Sequence, residues 1–203
     1  MKKLFVLFVA TLIACSVASG ETKEARDKLN KARQELHQRM PNPARAEKLL
    51  QESLKASPDY LDAQQALADL YYLEKRYDNA AAEYLKARAL DDAQKKLSRA
   101  DRNIMLDQLG LSQALGRHLD DAIATYKAAL AEDADYALFE YNLACSYAMK
   151  GDLDSALPHL SKSWELRDSM PNGMQFPDPR KDDSFKRYWN DPRFKSAVEN
   201  IVV

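Results

Sequence analysis

Residues 122–129 read Ala-Ile-Ala-Thr-Tyr-Lys-Ala-Ala, and residues 156–163 read Ala-Leu-Pro-His-Leu-Ser-Lys-Ser. Each places a small residue first, a bulky apolar one four positions on, and a small one three further. The triplets are Ala122, Tyr126, Ala129 and Ala156, Leu160, Ser163, 34 residues apart. Two more precede them at the same separation: Ala46, Leu50, Ser53 and Ala80, Tyr84, Ala87. The middle interval is 42, one period plus an 8-residue insertion. Offsets of four and three put each triplet on one helical face. A repeat of this length is one helical hairpin whose apolar face cannot close alone, so neighbouring hairpins must stack.

Upstream of each triplet lies the expected partner helix. Its column holds Leu67, Ala68 and Tyr71 in the second unit, Leu109, Gly110 and Gln113 in the third, and Leu143, Ala144 and Tyr147 in the fourth. Ala or Gly lets two helices approach closely, and the aromatic fills the groove beside them. This pattern resembles the tetratricopeptide repeat, which implies an all-α, right-handed solenoid of about four antiparallel hairpins. The first unit departs from it, with Arg33, Gln34 and His37 in that column. The opening aromatic is replaced by Gln64, Leu106 and Glu140, and the closing proline survives only as Pro58.

The expected units are a degenerate hairpin over 21–60, full repeats over 61–94, 103–136 and 137–170, and a proline-rich linker and capping tail over 171–203. Helices are expected over 24–39, 43–56, 60–73, 77–91, 95–115, 119–131, 136–149 and 153–167, with Gly116 and Gly151 as left-handed stops. Pro158 predicts a local distortion. The insertion, 95–102, has no Gly or Pro; it either lengthens the next helix by two turns behind an Asp91 or Asp92 cap, or forms a solvated loop. In the tail, Asp191-Pro192-Arg193-Phe194 resembles a segment found after the last repeat of bacterial proteins of this family. Phe185, Tyr188, Trp189, Phe194, Val198 and Ile201 offer apolar area to cover the last hairpin.

Residues 1–20 read as a signal peptide: Lys2 and Lys3, an apolar run from Leu4 to Ala14, then small residues to Gly20. Leu12-Ile13-Ala14-Cys15 resembles a bacterial lipobox, which implies cleavage before Cys15 and its lipidation, and an anchor in the cell envelope facing the periplasm. Ser16 stands where an aspartate would signal inner-membrane retention, so the outer membrane is the expected site. Ordinary cleavage after Gly20, giving a soluble periplasmic or secreted chain, is the alternative. Either cut leaves Cys145 as the single thiol, in an apolar-periodic stretch that marks it as a buried filler.

The chain has 203 residues, 30% of them charged, and a formal net charge of −1. That balance gives no basic face for nucleic acid. His37, His118 and His159 occupy unrelated positions, and no metal-ligand spacing, glycine-rich phosphate loop or nucleophile elbow occurs. No enzymatic activity, metal or cofactor is therefore expected. The family resemblance implies an adaptor that holds a protein partner along a concave groove lined by the first helices. The residues expected to face it are Asp107, Leu111, Ala114, Leu138, Tyr141, Asn142, Cys145, Ala148 and Met149. The wall is apolar and lacks the converging Lys and Arg of a carboxylate clamp, which favours an amphipathic helix or extended segment as the occupant. The alternatives are occupation of the groove by the chain's own tail or first helix, and a structural, self-associating solenoid.

Overall fold

A computed structural model describes residues 21–170, 174–199 and 201. The leader, Cys15 included, lies outside the described residues. Eight helices form four consecutive antiparallel hairpins: α1 (Lys23–Leu36) with α2 (Pro43–Ala56), α3 (Leu61–Leu73) with α4 (Tyr77–Gln94), α5 (Arg99–Leu115) with α6 (Leu119–Glu132), and α7 (Ala137–Lys150) with α8 (Leu153–Glu165). Each hairpin packs on the next, and no strand occurs among the described residues. The architecture is the all-α solenoid that the periodicity implies.

All four triplets lie in the core. Ala46, Leu50 and Ser53, Ala80, Tyr84 and Ala87, Ala122, Tyr126 and Ala129, and Ala156, Leu160 and Ser163 are each at most 2% exposed. The degenerate first unit packs by the same rule applied to its other helix. Ala25, Leu29 and Ala32 repeat the spacing, are fully buried, and face α2, where Ser53 Oγ donates to the Ala25 carbonyl (2.7 Å). Gly110 shows why the small column is needed, since a Cβ there would come within 2.4 Å of the Tyr126 ring.

The last three hairpins turn alike. The N-cap N–H of the second helix donates to a carbonyl five residues back: Arg76 to Tyr71 (2.8 Å), His118 to Gln113 (2.8 Å) and Asp152 to Tyr147 (2.9 Å). The preceding residue donates three back, completing a Schellman motif, and takes a left-handed φ: Lys75 (60°), Arg117 (70°) and Gly151 (96°). Gly151 is thus a left-handed stop, as expected. Gly116 is not: its φ is −73°, and the turn places the strained residue one position later, at Arg117. Pro158 leaves α8 unbroken from Leu153 to Glu165.

The insertion combines the two expected forms. α4 runs on to Gln94, residues 95–98 form a connection with Lys95 left-handed, and α5 starts at Arg99. The cap of α5 is Ser98, whose hydroxyl accepts from Asp101 N (3.1 Å), rather than Asp91 or Asp92. Asp91 instead holds the connection. Its buried carboxylate accepts from Lys96 N (3.1 Å), Leu97 N (2.8 Å) and Arg102 Nη1 (2.6 Å).

Candidate functional site

In a two-helix solenoid the first helices, α1, α3, α5 and α7, share one side of the molecule. The tail packs on both helices of the fourth hairpin. A 3₁₀ turn (Asp183–Tyr188) lies on α7, and a short helix, α9 (Pro192–Val198), packs on α8. Phe185, Phe194, Val198 and Ile201 are at most 5% exposed and form one cluster with Tyr141, Ala144, Cys145, Ala148 and Leu160. Phe176 meets Tyr141 edge-on (5.5 Å between centroids) and also packs on Trp164 (5.1 Å). Asp182 accepts from Tyr141 Oη (2.9 Å) and sits 3.7 Å from Cys145 Sγ.

The expected wall of the groove is corrected accordingly. Tyr141, Cys145 and Ala148 are buried in the cluster formed with the tail, and Leu138 and Ala114 are buried as well. Burial pushes the Cys145 thiol well above its usual range, which keeps it protonated and a filler. Asp107 is also buried, and its carboxylate accepts from Asn142 Nδ2 (2.6 Å), tying α5 to α7. Burial pushes the Asp107 carboxyl up to about 7, against the opposing effect of the Asn142 hydrogen bond. Leu111, Asn142 and Met149 remain half-buried.

The open part of the same side lies earlier in the chain. α5 and α7 pack side by side, whereas α3 and α5 have at most glancing contact. Between them is a concavity of about 480 Å³. Leu36 on α1, Ala66, Leu70 and Leu73 on α3, and Leu97, Ile104 and Met105 around α5 give it apolar walls. Leu73 is 74% exposed and Ile104 50%, large values for such side chains beside a concave surface. Arg33, His37, Asp62, Asp69, Asp101 and Gln108 supply the polar lining. The Tyr84 hydroxyl donates to Asp69, and local burial raises that carboxyl above its ordinary value. Beyond Ile104 a second concavity of about 510 Å³ extends to Tyr136 and Met170.

Sequence reading missed Asp69, Leu73 and Ile104. The insertion was their signal: it supplies Leu97 and Asp101 directly, and the trough lies between the two units it separates. The histidines are dispersed, with His118 facing Asp78 (3.1 Å), His159 facing Glu140 (2.6 Å) and His37 bonded to the Arg33 carbonyl (2.6 Å). Among the described residues no group of three His, Cys, Asp or Glu side chains could hold a metal ion. No described helix is long and apolar enough to cross a membrane.

A family model for the tetratricopeptide repeat matches residues 35–95 and 109–167, more than half of the chain, and the chain belongs to that family. Among solved structures, MamA MSR-1 is 25% identical with a TM-score of 0.53, the match covering 62% of this chain and 68% of that one. MamA AMB-1 is 26% identical with a TM-score of 0.52, covering 64% and 66%. The MamA RS-1 ArsTM double mutant reaches a TM-score of 0.60 at 15% identity, covering 72% and 77%, a likeness of fold alone. The chain thus spans about two thirds of the length of the first two. No curated protein matches the sequence. As a tetratricopeptide-repeat array, the chain has the fold of a protein–protein interaction scaffold.

Proposed function

We propose that this chain is a non-enzymatic adaptor that seats a helix or extended segment of a partner protein in the trough between α3 and α5. The observation that carries this reading is the combination of concavity and exposed apolar area at Leu73 and Ile104. Two such side chains in contact with water gain on the order of 1.5–3 kcal/mol each when a partner covers them. The fourth hairpin, buried by the tail, is not part of the footprint. A photoreactive residue at position 73 should crosslink to a specific protein in cells, and one at position 141 should not. Self-association gives crosslinks only between copies of the chain, with sedimentation that shifts at micromolar concentration, and that result refutes the adaptor reading.

The same reading places the adaptor at the bacterial envelope, on a lipid anchor at Cys15. Its support is the Leu12-Ile13-Ala14-Cys15 stretch behind Lys2, Lys3 and an apolar run. Two or three acyl chains anchor stably where one does not. Intact-mass analysis of the mature chain checks this: a diacylated cysteine at the new N-terminus is expected, and an unmodified start at Glu21 excludes it.

A further inference from the structure

Given that the trough seats a partner polypeptide, we infer that its floor selects a lysine or arginine side chain carried between apolar residues of that partner. Besides Asp62, which Lys96 pairs, the oxygen acceptors lining the concavity include the carboxylates of Asp69 and Asp101 and the side-chain amide of Gln108. Gln108 Oε1 is buried and accepts no hydrogen bond. Asp69 accepts one, from Tyr84, and Asp101 one from the Ser98 hydroxyl (2.6 Å). An ionised carboxylate has about four acceptor positions, so both retain capacity.

The basic groups nearby leave that capacity unfilled. Arg33 acts on Asp69 through space, without a hydrogen bond between them. Lys96 is held at the rim by Asp62 (2.7 Å) and lies over the Tyr60 ring. His37 is bonded to the Arg33 carbonyl. An incoming N–H can bond the open acceptor positions of Asp69 and Asp101, which an apolar side chain cannot. The walls suit the rest of such a residue, because a lysine or arginine stem packs on apolar surface while its head seeks oxygen. An acidic partner segment is disfavoured here by Asp69 and Asp101.

Panning a phage-displayed random peptide library on the purified chain tests this, followed by fluorescence polarisation of the selected peptides. Selected sequences should carry one Lys or Arg flanked by Leu, Ile, Met or Phe. Replacing that residue by norleucine should weaken binding by about tenfold, as loss of a charge-assisted hydrogen bond predicts. The Asp69→Asn, Asp101→Asn double variant should weaken the basic peptide equally and leave the norleucine peptide unchanged. The amide oxygen introduced at position 69 still accepts from Tyr84, and circular dichroism verifies that each variant is folded. Selected peptides without a basic residue, or affinity unmoved in the double variant, overturn the inference. If Leu73→Ser with Ile104→Ser nevertheless abolishes that binding, the trough reading survives. Failure to select any peptide, or binding insensitive to both pairs of substitutions, removes the trough reading as well.

Discussion

Asp107 illustrates how one side chain changes meaning between sequence and structure. In sequence it is an acid on a helix expected to face a groove; in the fold it is a buried tie between α5 and α7. Its carboxyl holds a proton up to about pH 7, whereas an unfolded aspartate releases it near 4. The folded state therefore binds the extra proton between those limits, and stability falls as pH rises from about 4 to 7, then levels off. Asp107→Asn should remove that decline. Urea titrations at pH 5 and pH 8 should show it gaining, relative to the parent, on the order of 3 kcal/mol at the higher pH. Gly110→Ala acts in the opposite sense. Its methyl group overlaps the Tyr126 ring, and the resulting overpacking should cost about 1–3 kcal/mol, visible as a lowered denaturation midpoint.

At the level of elements, helix limits were largely legible because capping and periodicity are local. α2 begins where the sequence predicts, since Asn42 caps it and Pro43 takes its first position. The turns were less legible. A glycine is the usual sign of a left-handed stop, but the hydrogen bonds of the Schellman motif decide which residue takes that conformation, and at α5 they choose Arg117. Lys75 and Arg117 thus carry a backbone conformation that costs a side-chain-bearing residue about 1–2 kcal/mol. Lys75→Gly and Arg117→Gly should each raise stability by about 1 kcal/mol, read as an increase in melting temperature, while Gly151→Ala should lower it. The insertion was only half legible for a similar reason. Its helix-favouring composition could not reveal that Asp91 would turn back to bond Lys96 and Leu97 and so end one helix before the next began.

For the whole molecule, the repeat count followed from spacing alone, but the position of the trough did not. The bond between Tyr141 and Asp182 joins residues 41 apart, across a proline-rich segment with no periodicity to announce it. The sequence offered the tail as a cover for the last hairpin and as one occupant of the groove, but spacing could not say that Tyr141 and Cys145 would be the residues it buries, and the expected site was placed where the tail lies. Phe185→Ala tests what that cover contributes. Loss of a fully buried phenylalanine should cost about 3–5 kcal/mol, and mapping by mass spectrometry should find Cys145 alkylated faster than in the parent. Unchanged Cys145 labelling would show that Phe185 does not shield that face.

The tail also gives the array one finished end. A second copy finds no bare hairpin there to continue the stack, so end-on growth from that side is blocked.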